Sequence, residues 1–334
     1  NDFVKLFQSK LNAWLTHLTE HTNPLSISAR LPEYFVWALH REFQQGKTHY
    51  TPLINCIKTP ISEAWQRTRT WIRYNVEFTK KLAEPVFDER FSLPQIYIWP
   101  RAYYVDEPLR NSSEPHNNST AEIFKNVVDL KRALDSWIFS DGVAPEEQRL
   151  DSIRILSGDP GSGKSSFARM YALHLIKKGF KVLFVPLHRL NVQAEFGIEL
   201  DTFCEEHDDH PTGLLKSDSA PPRLLLILDG LDELSNQGKI GATIASSFVE
   251  EIIRKLNNRN SNKLRLQALL VGRPIAIQNI INKFRKNEQV LYLLPYNIEN
   301  TKECNGLTSL IRENQCSTWW RKYGKLVGID YSSG

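Results

Sequence analysis

Gly158, Asp159, Pro160, Gly161, Ser162, Gly163, Lys164 and Ser165 fill every slot of the pattern G-x-x-x-x-G-K-[ST]. Residue types in that order suit an anion with many oxygens. The glycines let backbone N–H groups turn inward and approach phosphate without a Cβ in the way. Lys164 brings a cation to the β and γ phosphates, and the Ser165 hydroxyl is a hard-oxygen ligand for Mg²⁺. Ser166 follows in the opening turn of a helix whose unpaired N–H groups and positive dipole end face the same anion. This is a Walker A motif, and residues 158–166 are the candidate nucleotide contacts.

A phosphate loop alone binds; further chemistry needs a second group. Arg223 to Asp229 is a continuous apolar run ending in a carboxylate. A strand buried on both faces of a parallel sheet delivers an acid to the carboxyl edge in this way. Asp229 is therefore the Walker B acid, holding Mg²⁺ opposite Ser165. Asp232 and Glu233 follow within one turn, where one of them can orient or deprotonate an attacking water. A third apolar run, Leu266 to Val271, ends in Gly272, Arg273 and Pro274, and a cation at that edge can read a γ phosphate.

With these three pieces in order the chain resembles a NACHT domain of the STAND class of P-loop NTPases. The resemblance rests on the loop with Pro160 inside it, on Asp229-Gly230-Leu231-Asp232-Glu233, and on Arg273-Pro274, and it covers roughly residues 150 to 300. It implies a parallel sheet of order 5-1-4-3-2 with the Walker strands adjacent, ATP or ADP with Mg²⁺ as cofactors, and Arg273 as γ-phosphate sensor. One departure concerns the sensor. The family usually places Thr-Ser before Arg-Pro, whereas Val271-Gly272 stands here, so sensing falls to Arg273 alone.

The elements that must position these residues can be read from hydrophobic periodicity. Ile153 to Leu156 reads as a buried strand entering the loop, and Phe167, Met170, Tyr171 and Leu175 as a helical stripe leaving it, stopped by Gly179. Strands at 182–185 and 290–294, and helices near Leu200, over 248–256 and over 275–284, complete an alternation that implies an α/β fold with helices on both faces of a parallel sheet. Upstream, Phe3, Val4, Phe7, Leu11, Trp14, Leu15 and Leu18, then 34–43, then Ile61, Trp65, Ile72 and Val76, recur at helical spacing. Residues 1–92 are thus expected to form a small helical unit, effector-like or adaptor-like by the resemblance. Residues 93–148 are expected to be a connecting region: an extended segment at 93–100, a polar loop, and a helix capped by Ser119 and Glu122 with Ile123, Val127, Leu130, Leu134 and Trp137 on its apolar face. The NTPase is expected over 149–298, and 299–334, with Trp319, Trp320, Tyr323 and Leu326, as the start of a further helical domain.

Composition excludes several classes. Net charge is only +4, and no uninterrupted apolar run is long enough to span a bilayer, so neither a membrane nor an export assignment is supported. Cys56, Cys204, Cys304 and Cys316 lack ligand spacing and read as reduced cytosolic thiols. His207 and His210 sit in an acidic polar stretch that reads as a solvated loop. The basic residues Arg254, Lys255, Arg259, Lys263 and Arg265 lack interleaved aromatics, which argues against nucleic acid. Neither Asn262-Lys263 nor Asn282-Lys283 carries the acid that specifies guanine, so ATP is expected over GTP. Because the chain opens on Asn1, not Met, and shows no winged-helix segment before Gly334, it is read as part of a longer protein.

The resulting expectation is a slow cytoplasmic ATPase acting as a signalling switch, its nucleotide state coupled to homo-oligomerisation. The resemblance implies antiviral or innate immune defence, with a pathogen or phage protein sensed by a region beyond this chain. Two other classes fit the same motifs: an AAA+-like motor or loader acting on nucleic acid or protein, and a module that holds ADP permanently.

Overall fold

The computed structural model describes residues 60–86, 91–105, 125–139, 151–207, 210–215, 223–234, 239–261, 264–278, 280–284, 286–298 and 301–328, with isolated positions elsewhere. The chain divides into two compact units, residues 1–74 with 209–211, and residues 75–208 with 212–334. In the first, little beyond the opening part of helix α1 (Pro60–Ala83) is described. Along α1 the buried positions are Trp71, Tyr74 and Leu82, whereas Ile72 and Val76, expected on the apolar face, are exposed. The aromatic row at i, i+3 therefore wins over the aliphatic one, as its larger apolar area would dictate. Phe7 and Trp14 are exposed as well, Leu11 is half-buried and Ala38 exposed, and the remaining N-terminal stripe positions, with Ile61 and Trp65, lie outside the described residues or side chains.

The second unit is built on an eight-stranded sheet. Its strands are β1 (Arg101–Tyr104), β2 (Lys125–Asp129), β3 (Ile153–Ser157), β4 (Val182–Pro186), β5 (Leu224–Asp229), β6 (Leu266–Gly272), β7 (Val290–Leu293) and β8 (Cys304–Asn305). They lie in the order β4-β5-β6-β3-β7-β1-β2-β8. Strands β3 to β7 are mutually parallel, and counting from the loop strand β3 they give the order 5-1-4-3-2. One expectation fails: the Walker strands are not adjacent. β6 lies between β3 and β5, pairing Ile153 with Ala268 on one side and Leu224 with Leu266 on the other. That insertion carries Arg273 to the middle of the site.

Helices cover both faces. They are α2 (Leu93–Ile96), α3 (Leu130–Ile138), α4 (Lys164–Lys177), α5 (Phe196–Glu205), α6 (Leu231–Leu234), α7 (Lys239–Arg259), α8 (Pro274–Gln278), α9 (Thr308–Arg312) and α10 (Gln315–Val327). On one face Phe167, Tyr171 and Leu175 of α4 and Leu134 and Trp137 of α3 pack with Leu225, Ile227, Leu269 and Val271 in a single core. Alternate strand residues point to the opposite face. α5 and α7 meet edge to face through Phe196 and Phe248, 5.6 Å between centroids. Because the central strands are covered on both sides, β3, β5 and β6 are buried along their whole length. Gly179, at φ +79°, ends α4 where the sequence placed the stop.

Two segments before the loop differ from expectation. Residues 93–96 form one helical turn, not a strand: Pro94 is tolerated in a first turn, and the Gln95 side chain accepts the Ser92 backbone N–H at 2.7 Å. The strand comes later, at 101–104. Likewise Val127 lies in β2, and the following helix starts at Leu130, where the Asp129 side chain accepts from the Arg132 N–H at 2.9 Å. A carboxylate one residue before an apolar stripe supplies that cap directly. Ser119 and Glu122 lie outside the described residues.

Strand β1, antiparallel to both β2 and β7, carries an unexpected buried arginine. Arg101 is 1% exposed and donates to four backbone carbonyls: Leu310 at 2.6 Å, Glu313 at 2.8 Å, Tyr296 at 2.6 Å and Pro295 at 3.2 Å. Burial pulls its guanidinium below the usual range, and the Glu313 carboxylate pulls it back. Gln315, which donates to the Trp99 carbonyl at 2.9 Å, and Lys322, which donates to Tyr97 at 2.7 Å, extend the same docking to α10. Arg101→Ala leaves those carbonyls unanswered and is expected to lower stability by roughly 3 kcal/mol, since each buried orphan costs about 1 to 3 kcal/mol. Urea unfolding and amide exchange over 308–327 check this; unchanged protection there would show that Arg101 does not hold the segment.

Candidate functional site

The loop leaves β3 at its carboxyl edge and enters α4. Gly163, at φ +88°, is the residue that turns the chain into the helix, a conformation in which a side chain would be strained. The Gly158 N–H donates to the Gly272 carbonyl at 3.3 Å, tying the start of the loop to the end of β6. Lys164 folds back over the loop and donates to the carbonyls of Gly158 and Asp159, both at 2.7 Å. Burial lowers its ammonium below the usual lysine range, and Asp232 raises it in opposition. The Ser162 hydroxyl is buried with no hydrogen-bond partner among the described residues. An anion resting in the loop would give it one.

Asp229 ends β5 beside this loop. It is 9% exposed, and its carboxylate accepts from the Ser165 hydroxyl at 3.1 Å. The two oxygens sequence analysis assigned to one cation are therefore neighbours. Burial raises the Asp229 carboxyl, the Ser165 hydrogen bond and Arg169 lower it, and the nearby Glu233 and Asp232 raise it further. So much negative charge in a buried place is costly without a cation, and hard oxygens suit Mg²⁺.

Asp232 and Glu233 stand on α6, one turn past Asp229, but their surroundings differ. Asp232 is largely covered and bound to Arg273, Nε to Oδ2, at 2.7 Å. Glu233 is about half exposed and meets His188 Nδ1 at 3.2 Å. Of the two acids, Glu233 is thus the less committed. The five side chains expected to share a nucleotide, Lys164, Ser165, Asp229, Asp232 and Arg273, converge on one sheet edge from β3, β5 and β6.

That geometry agrees with comparison at the level of families. A model described as the NACHT domain matches residues 152–304, and one described as NACHT N-terminal Helical domain 3 matches residues 2–93. The chain carries a NACHT domain, a P-loop NTPase. No curated protein matches it. Among solved structures the chain is similar to PCH-2 of C. elegans, at TM-score 0.29 and 12% identity, over 50% of this chain and 41% of that one. It is similar also to the E. coli MS115-1 HORMA:CdnC:Trip13 complex, at TM-score 0.34 and 14% identity, over 61% and 68% of the two chains. A third is the pCW3 conjugation coupling protein TcpA in a monomer form with ATPgS, at TM-score 0.26 and 13% identity, over 75% of each.

Within the NACHT domain, the departure ahead of Arg273 has a steric cause. A Cβ added at Gly272 would lie 2.8 Å from the Leu231 Cβ, so a hydroxyl-bearing residue cannot stand there while Leu231 is buried at the start of α6. Leu231 occupies the space, and Arg273 is left as the cation at this strand end. No helix among the described residues is long and apolar enough to cross a membrane.

Two site neighbours escaped the sequence reading. His188 lies on a short 3-10 turn after β4, whose last residue Pro186 is in register with Asp229. Its only sequence signal was its place just past a strand's carboxyl end. Arg169, one turn into α4, is close enough to Asp229 to lower its carboxyl. It stands four residues after Ser165, on the same side of the helix, which is the signal that could have found it.

Proposed function

We propose that this chain is an ATP-driven switch: a slow, cytoplasmic ATPase whose nucleotide state governs self-assembly in antiviral or innate immune defence, answering to a pathogen or phage protein. The observation that carries the nucleotide part is the convergence of Lys164, Ser165, Asp229, Asp232 and Arg273 on one edge. The defence role and the protein signal rest on the family alone.

The residues divide the work. Loop N–H groups and Lys164 hold the β and γ phosphates, and Lys164 exchanges its two loop carbonyls for phosphate oxygens. Ser165 and Asp229 would hold Mg²⁺, which supplies charge neutralisation and a template for the phosphates. Glu233 accepts a proton from water or orients it, while Asp232 keeps Arg273 aimed across the site. Only ATP carries charge at the position Arg273 can reach. On binding ATP, Arg273 keeps Asp232 on its Nε and adds a phosphate contact through its terminal nitrogens. That contact distinguishes ATP from ADP.

Arg273→Ala is expected to weaken ATP roughly ten- to hundredfold, in line with a charge-assisted contact, while ADP affinity stays near wild type. Calorimetry with both nucleotides, together with mass photometry, tests the switch: ATP but not ADP should raise the mass of the wild-type chain, and the variant should lose that response. Equal losses for both nucleotides would make Arg273 structural, and a mass indifferent to nucleotide would remove self-assembly from the account. Turnover stimulated by DNA would point to a motor.

A further inference from the structure

Strand β3 and its loop divide the carboxyl edge of the sheet into two flanks. On one lie β6 and β5, with Arg273, Asp229, Asp232 and Glu233; on the other lie β7 and β1. A cation beside three carboxylates is the chemistry of a terminal phosphate, its metal and its water. A nucleoside triphosphate laid over residues 158–165 with its γ phosphate toward β5 and β6 must send its base toward β7 and β1.

Two tyrosines stand on that second flank. Tyr292 is in register with Ser157, the last strand residue before the loop, and Tyr103 is paired with Tyr292 across the antiparallel β1–β7 ladder. Their rings are stacked, 5.2 Å between centroids and 22° between planes, and both are partly exposed. Burial raises the Tyr103 phenol, and Tyr292 and then Asp159 of the loop add to the shift, so Tyr103 is within electrostatic reach of the loop itself. The ammonium of Lys125, from β2, lies 5.2 Å from the centre of the Tyr103 ring.

We infer that the Tyr103–Tyr292 pair is the nucleobase platform of this site, on which the base of a bound nucleoside triphosphate stacks, taking the place of the Lys125 ammonium over Tyr103. A base laid on an aromatic face gains more than a single partly exposed cation–π contact, so the exchange is favourable. Stacking uses the π face and not the base edge, so the platform holds the nucleoside without choosing among bases.

The inference rests on reading 158–165 as a triphosphate site, and titrating the whole chain with MgATP and with magnesium tripolyphosphate separates the two claims. Tyr103→Ala and Tyr292→Ala should each weaken MgATP about tenfold and leave tripolyphosphate unchanged, whereas Tyr103→Phe and Tyr292→Phe should bind both as wild type does. Tyr103→Leu and Tyr292→Leu keep bulk in the sheet and remove the π face, so they decide the matter if the alanine variants do not fold. Equal losses for both ligands, or wild-type MgATP affinity in the Ala or Leu variants, overturn the platform. A wild-type chain that binds neither ligand overturns the triphosphate site, and the platform with it.

Discussion

Lys164→Ala is expected to abolish tight ATP binding. In the structure its ammonium is held by two loop carbonyls, poised where the β and γ phosphates would lie. Removing it leaves a phosphate charge in a partly buried place without its cation, a loss of about 3 to 5 kcal/mol, which is a few-hundredfold or more in affinity. The fold should survive, because the lysine contributes nothing to the core shared by α3, α4 and the sheet. Calorimetry on the folded variant checks this, and undiminished affinity would remove the phosphate role from the loop.

The second large effect is on turnover. Asp232→Asn combined with Glu233→Gln keeps Ser165 and Asp229 in place, 3.1 Å apart, and removes the two carboxylates assigned to the attacking water. Hydrolysis should fall by roughly a hundredfold or more, the usual share of general base catalysis, with ATP still bound. The single variants separate the two acids. Glu233→Gln should carry most of the loss, because Asp232 is engaged with Arg273 while Glu233 meets the more exposed His188. Asp232→Asn frees Arg273 and should alter ATP affinity before it alters chemistry. Turnover that persists in the double variant would mean that another group handles the water.

The central sheet was legible because buried parallel strands are written as unbroken apolar runs and end where chemistry begins: Ile153 to Ser157 before the loop, Leu224 to Asp229, Leu266 to Gly272. Spatial order was harder. β6 comes after β5 in the chain yet lies between β5 and β3, and no local pattern in 266–272 reports its neighbours. Short strands far from the loop strand were the least legible. Val127 and Leu130 share a spacing of three with either a helix or the end of a strand, and only the Asp129 cap decides for a helix that starts at Leu130. Arg101 gave no sign at all, since the carbonyls it serves lie some two hundred residues later in the sequence. Gly272 was visible as a departure, but its reason, the Leu231 side chain against it, is a matter of contact between the end of β6 and the start of α6.

Binding of MgATP and MgADP to the wild-type chain by calorimetry, repeated on Lys164→Ala, tests the central claim most directly. The account predicts one saturable site per chain for each nucleotide, and no measurable ATP site in the variant. Absence of saturable binding by the folded wild-type chain, or binding that Lys164→Ala leaves intact, would contradict it.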